Sequence, residues 1–308
     1  MRTDTRIAAS PATTQAESNL RSLAVLAMLG SVAIYGSNFA ISRYAVLHQS
    51  FSPYDLVALR FIVAGLLLLP IFVRAGVRTC AGIGWGRGVL LAIIGGFPMS
   101  LLMLSGLALA PAAHGAAIGP GTVTLIGVIG SWLWFGNRLG RMKIAGLGIV
   151  LVGLGCIGWT GASLGDPRVV LGDLLFLATG LVWGAFPLLV QRWNLDPLTS
   201  TAVVAVLSLA YLPFYALFLE PRLAALPWDA VVLHAFNQGV LNIIVALWLW
   251  SWAVGVIGAG MTGRFPPLIP VIGTLAAVPL LGEVPGLLQM AGIALIVTGL
   301  LWVALARR

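Results

Sequence analysis

Ten stretches of at least nineteen mostly apolar residues follow one another through almost the whole chain: 22–44, 55–73, 88–109, 112–135, 142–160, 169–191, 198–219, 229–251, 255–280 and 286–305. A helix needs about 20 such residues to cross the roughly 30 Å hydrocarbon core of a bilayer. Inside that core the backbone must satisfy its own hydrogen bonds, so a segment of this length spans as a helix. With 60% hydrophobic residues, 8% charged and a mean hydropathy of +1.04, the chain stands far from the roughly 25% charged of a soluble domain. The expected fold is all-α, a polytopic membrane protein of ten transmembrane helices. Segments three and four, and eight and nine, are joined by almost nothing, as antiparallel hairpins would be. Trp85, Trp159, Trp193, Trp228 and Trp302 sit near segment ends, where an indole keeps its ring among the headgroups.

The segments repeat. A shift of 146 residues pairs Pro120 with Pro266, Gly127 with Gly273, Gly136 with Gly282, Gly146 with Gly292 and Gly153 with Gly299, and Tyr35-Gly36 finds Trp183-Gly184 at a shift of 148. Each half then holds five spans, an odd number, so the halves enter the bilayer in opposite directions about a pseudo-twofold axis in its plane. Inverted repeats of this kind work by alternating access around a central site. The expected organisation is a disordered tail over 1–21, one five-helix repeat over 22–160, a linker over 161–168 and a second repeat over 169–308.

Charge sets the orientation. Were both termini cytoplasmic, twelve of the seventeen Lys and Arg residues would lie on the cytoplasmic side, three (Arg43, Arg168, Arg222) outside, and two (Arg60, Arg264) within spans. That bias places the termini inside, in a plasma membrane. The basic residues form no stripe, which argues against nucleic acid despite a net charge of +8. Residues 22–44 are long enough to span, so the apolar stretch after Arg21 reads as a helix and not as a cleaved leader. Cys80 and Cys156 are placed too far apart to pair, and no metal-ligand spacing, Walker motif or cofactor signature is present.

Tyr35-Gly36-Ser37-Asn38-Phe39 in the first segment, Pro53 with Arg60 at the second, Pro120 and Pro266 in the fourth and ninth, and Leu281-Gly282-Glu283 followed by Gly292 and Gly299 resemble marks of the EamA-type branch of the drug/metabolite transporter superfamily. The similarity covers about residues 22–305, and the resemblance implies two homologous halves of five helices and a transport function. The first half departs from the pattern, reading Phe135-Gly136-Asn137 where Gly-Glu would be expected. Arg264 is not a family mark.

Polar residues inside the spans are the candidate site. Ser31, Tyr35, Asn38 and Ser42 make one stripe on the first segment; His234, Gln238 and Asn242, at i, i+4 and i+8, make another on the eighth, flanked by Asn237. Such groups need partners in hydrocarbon and should face a cavity or another helix. Tyr35, Asn38, Trp183, Asn237, Gln238 and Asn242 are therefore expected to contact solute, together with the two arginines. Arg264 stands about four residues from the middle of the ninth segment, on the order of 6 Å, too deep for easy snorkelling, where an intramembrane charge is costly and marks either a bound anion or carbonyls freed by Pro266-Pro267. Arg60 has Asp55 five residues earlier and reads as structural, gating or solute-contacting. Pro120 and Pro266, at equivalent positions, are candidate hinges. His114, His234 and Glu283 are candidates for gating or for proton coupling. With no Asp or Glu in sight deep in a span, an uncoupled carrier or exchanger is expected over a proton antiporter. Gly136/Gly140, Gly180/Gly184 and Gly282/Gly286 have the spacing of close helix packing.

Two catalytic-looking patterns fail on context: Gly161-Ala162-Ser163-Leu164-Gly165 has no strand before it, and Gly153 to Gly158 lies inside an apolar span. No catalytic residue is assigned. The expected function is a secondary transporter, an exporter or exchanger, of a small organic metabolite that is carboxylate-bearing or amino-acid-like. An intramembrane enzyme and a non-transporting sensor or scaffold remain as alternatives. The partners are the small-molecule solute and membrane lipid, with a second copy of the chain left open.

Overall fold

The structure, a computed structural model, describes residues 11–136, 139–163, 165–219 and 221–306. Its helices are α1 (Pro11–His48), α2 (Pro53–Gly76), α3 (Trp85–Gly95), α4 (Phe97–Leu109), α5 (Ala112–Phe135), α6 (Arg141–Ser163), α7 (Pro167–Arg192), α8 (Pro197–Leu207), α9 (Tyr211–Phe218) and α10 (Trp228–Ala235). A π-helix, Phe236–Val245, continues α10 into α11 (Ala246–Ile257), followed by α12 (Ala259–Thr262), α13 (Leu268–Leu281) and α14 (Leu287–Leu305). Among the described residues nine stretches are long and apolar enough to cross a membrane, and α13 is a shorter apolar helix. Arg2, Arg6, Asn137, Arg138, Arg307 and Arg308 lie outside the described residues.

Helix starts follow the local sequence. Ser52 caps α2 through a reciprocal box with Asp55, Asp196 caps α8 by accepting from the Thr199 N–H at 2.7 Å, and Asp166 caps α7; a proline follows each, where its missing N–H costs nothing. α1 begins at Pro11, so residues 11–21 of the expected tail are helical, and residues 1–10 fall outside the described residues. Gly136 and Gly282 end α5 and α13 in the left-handed conformation, at φ +66° and +67°. These repeat-equivalent glycines are helix stops, and of the three expected packing pairs only Gly180/Gly184 packs.

The ninth segment departs most from expectation. α11 runs on to Ile257, Gly258 turns the chain at φ +80°, and after the single turn of α12 residues 263–267 form a turn before α13 starts. Pro266-Pro267 removes two successive N–H donors, and a proline disfavours helix for the residue before it. The third segment is broken too, at Gly96 between α3 and α4. Ser208 Oγ fills that gap, accepting from the Phe97 N–H at 3.2 Å, and a Cβ at position 96 would stand 2.3 Å from it.

The packing carries the pseudo-twofold axis. A Cβ built on Gly146 would lie 3.0 Å from the Gly299 carbonyl oxygen, and one on Gly153 2.7 Å from that of Gly292, so α6 and α14 cross backbone to backbone. The 146-residue shift converts one of these contacts into the other. Likewise Gly36 of α1 packs on Ile272 of α13, and Gly184 of α7 packs on Ile126 of α5. Small residues let apolar helices approach this closely, the main source of helix association when hydrocarbon surrounds them. We call the end of the bundle holding His48 the far face and the end holding Arg192 the near face.

Candidate functional site

Four elements converge on one buried polar cluster. Asn38 and Ser42 come from α1, Arg60 from α2, Ser100 from α4, and Asn237, Gln238 and Asn242 from the π-helix; all are buried. The Asn38 Oδ1 accepts from Asn237 Nδ2 and Asn242 Nδ2, each at 3.1 Å, and from Ser42 Oγ at 3.2 Å. Gln238 donates to Ser42 Oγ at 2.7 Å and accepts on its Oε1 from Arg60, from Nε at 3.0 Å and from Nη2 as well. Arg60 Nη1 donates to Ser100 Oγ at 3.2 Å. The cluster joins the first repeat, through α1, α2 and α4, to the second through the π-helix.

The π-helix explains why Asn237 belongs. Residues five apart stand one above the other when backbone bonds run i to i+5, and Asn242 Nδ2 also donates to the Asn237 carbonyl at 2.8 Å. In an α-helix Asn237 would flank the stripe, as its spacing suggests. Gly239 lets the wide turn sit on α2, since a Cβ there would stand 2.4 Å from Val63 Cβ.

Electrostatically the site is a buried cation without a counter-ion. Arg60 is 6% exposed, and no carboxylate among the described residues pairs with it. Asp55, five residues before it, is occupied elsewhere: one oxygen takes the Ser52 N–H and hydroxyl, the other the Tyr215 hydroxyl and, at 3.3 Å, the Arg222 N–H. Of the five N–H donors on a guanidinium, three are used here, leaving two. Neither the Asn237 nor the Asn242 Oδ1 accepts a hydrogen bond within the cluster. Tyr35 lies half-buried one turn from Asn38 on α1.

The other expected residues lie apart. Arg264 is exposed in the turn 263–267 and its side chain has no partner among the described residues; it is not the deep charge its place in the segment implies, because the helix is broken there. Trp183 is exposed on α7 at 38%. Pro120 sits buried inside the unbroken α5, whereas Pro266 lies in the turn before α13. His234 bonds Gln49 Oε1 at 2.6 Å and packs edge-on against Phe51, with its Nδ1 buried and unpartnered. Glu283 forms an ion pair with Arg43 of α1 and accepts the Ala112 N–H at the start of α5 at 2.9 Å, while Arg43 also donates to the Leu107 carbonyl at 2.6 Å. This latch ties the α13–α14 connection to the first repeat at the far face.

His114 is bonded to Asp173 of α7 through Nδ1 and Oδ1 at 2.7 Å, both buried. A buried carboxylate is therefore present within a span: Asp173 is the fifth residue of the sixth segment, close enough to its polar start to pass for an end residue. Ser100, Gln49 and Asp173 carried no stripe or spacing of their own; the first broke no pattern in an apolar run, and the second sits at a helix end.

A helical bundle of membrane-spanning length, folded as two inverted halves around a buried polar cluster, defines a polytopic membrane transporter. The family model for the EamA-like transporter family matches residues 22–159 and again 170–305. The chain belongs to the EamA-like transporter family. It is 27% identical over 287 residues to "Uncharacterized transporter YvbV" of Bacillus subtilis, covering 91% of this chain and 90% of that one. It is 25% identical over 297 residues to a "Probable amino-acid metabolite efflux pump" of Salmonella typhimurium, covering 87% and 90%. A solved crystal structure shares the fold at a TM-score of 0.58 and 24% identity, covering 91% of this chain and 96% of that one.

Proposed function

We propose that the protein is a secondary carrier that exports or exchanges a small, carboxylate-bearing, amino-acid-like metabolite by alternating access, with Arg60 receiving the carboxylate. The near face is cytoplasmic in this reading, and the cell's plasma membrane is its site. The observation that carries it is the unpaired buried guanidinium. Removing a charge from water costs several kcal/mol unless a counter-charge compensates, and a solute carboxylate provides one through bidentate, charge-assisted bonds. The accepting oxygens of Asn237 and Asn242 face the same cluster and suit a solute amino group. The name borne by the Salmonella relative, an amino-acid metabolite efflux pump, points to the same solute class. Pro266 in its turn and Pro120 in α5 serve as the flexible points of the two repeats, and the latch of Arg43 with Glu283 closes the far face.

Counterflow in reconstituted vesicles tests the reading. Labelled amino acids and organic acids, offered singly to vesicles preloaded with the unlabelled compound, should show at least one that accumulates transiently. The binding of that solute should weaken by about tenfold or more in Arg60→Gln, the loss expected for one charge-assisted bond of about 1.5–3 kcal/mol. Unchanged affinity in a folded Arg60→Gln protein would remove the carboxylate assignment, and absence of counterflow with every probe would remove the carrier assignment.

A further inference from the structure

We propose that His114 and Asp173 form a proton-binding site that couples transport to a proton gradient; the coupling, though not the proton binding, rests on the carrier reading above. The two side chains are 1% and 10% exposed, and the second carboxylate oxygen, Asp173 Oδ2, is buried with no hydrogen-bond partner. Gly161 of α6 closes over that oxygen, where a Cβ would stand 2.6 Å away. A buried carboxylate satisfied on one side only is stabilised when its single partner is a cation. Imidazole is the side chain whose charge changes between pH 5 and 8. With Nδ1–H donating to Asp173, a proton from water adds to the Nε2 lone pair and gives an imidazolium–carboxylate pair; its loss from the same nitrogen restores neutral imidazole.

The surroundings supply no substitute charge. Arg43 of α1 is held by Glu283, and Tyr44 and His48 of α1 pack on each other with ring centroids 4.9 Å apart and planes tilted by 40°. Asp166 and Arg168 lie exposed at the start of α7. Arg87 of α3 and Arg141 and Lys143 of α6 belong to the near face, and α4, α13 and α14 contain no charged residue.

The pair bridges the repeats, His114 from the first and Asp173 from the second, and it breaks their symmetry. The 146-residue shift carries His114 onto Gly260, and the 148-residue shift carries Asp173 onto Val25, neither of which titrates. When the repeats exchange conformations, a titratable contact is made or parted on one face alone. Proton affinity then differs between the two access states, and by linkage proton binding shifts the balance between them.

The full chain in vesicles separates this from the carrier reading. For whichever labelled amino acid or organic acid shows counterflow at equal pH, a gradient of one pH unit, in one of its two polarities, should drive accumulation of up to about tenfold for one proton per solute. His114→Asn and Asp173→Asn should keep counterflow and lose the accumulation. Counterflow without accumulation in either polarity, or normal accumulation by a folded Asp173→Asn protein, overturns the coupling. Independently of any solute, a pH titration of histidine-labelled protein followed by NMR, with the His114 signal identified from His114→Asn, reads proton binding directly. Asp173→Asn should change the pH response of the His114 signal, because the carboxylate bonded to Nδ1 becomes a neutral amide. An unmoved titration of His114 overturns the site itself.

Discussion

Arg60 and Arg264 show how a side chain's depth and its partners decide its role. From the sequence, Arg264 is the isolated charge and Arg60 has a carboxylate nearby; in the fold the two exchange places, because Asp55 is consumed by capping α2 and by Tyr215, while the break at Pro266-Pro267 leaves Arg264 exposed. Arg264→Gln should therefore leave solute affinity within about twofold and the melting temperature unchanged, surface substitutions being worth under about 0.5 kcal/mol. A tenfold loss of affinity would return the anion contact to Arg264. Arg60→Lys should recover only part of what Arg60→Gln loses, since an ammonium lacks the planar fork that spans Gln238 and a carboxylate. Of the two expected stripes, Asn38, Ser42, Gln238 and Asn242 meet in the cluster, whereas Ser31 bonds the Ala246 carbonyl and His234 bonds Gln49. Asn237 was legible only as a neighbour, and Asp173 not at all, because a contact between two distant segments leaves no local spacing. Cys80 is buried in the turn between α2 and α3, and burial pushes its thiol up. Its thiolate fraction at neutral pH is thus below that of a free cysteine, and maleimide labelling should be slower than for a free thiol and gain rate as pH rises; labelling at the rate of a free thiol at neutral pH would show the turn to be open.

Elements in this fold are interrupted where the polar groups gather. The break at Gly96 and the π-helix Phe236–Val245 occupy equivalent positions, since the 146-residue shift carries 90–99 onto 236–245. Irregular backbone at membrane depth persists only where protein buries it or a cavity receives it, and broken helices mark transport sites. Gly95-Gly96 and Pro98 surround the first break, although 88–109 was expected as one helix, and the π-helix contains no proline and only one glycine, so nothing local announces it. Gly239 is its requirement: Gly239→Val would press on Val63 and force α2 away, costing about 1–3 kcal/mol as overpacking does. The check is a lowered melting temperature together with weaker solute binding, since Gln238 moves with the backbone; a stable variant with full affinity would show that the close approach is dispensable. The two prolines, equivalent in sequence, sit in different backbones. Pro266→Ala restores an N–H in the turn and should slow exchange more than it weakens binding, whereas Pro120→Ala, inside a continuous helix, should change exchange less. Equal effects of the two on exchange would remove the distinction.

At the scale of the molecule, the repeat was the most legible feature, because small residues at helix crossings are preserved in both halves and map contact onto contact: Gly146 on Gly299 becomes Gly292 on Gly153. Two near-face basic groups, Arg87 and Arg192, stand 5.2 and 5.5 Å over Trp193 and Trp134. What sequence could not supply was how the halves are locked, since Arg43 entered only as a loop charge and Glu283 as a motif. In the fold they join α1 to the α13–α14 connection, with the α4 and α5 ends held by the same two groups. If this latch closes the far face, Glu283→Gln should open it: losing a partly buried pair of about 1 kcal/mol changes the open population about fivefold. A cysteine introduced at Ser42, in a chain with Cys80 and Cys156 replaced by serine, reports the change when an impermeant thiol reagent is applied to intact cells. Its labelling should rise about fivefold in Glu283→Gln and similarly in Arg43→Gln, and the double variant should add little, because both changes release one contact. Labelling that stays flat in both single variants, with counterflow preserved, would make the pair a packing contact between α1 and the second repeat and leave closure of the far face to the helices themselves.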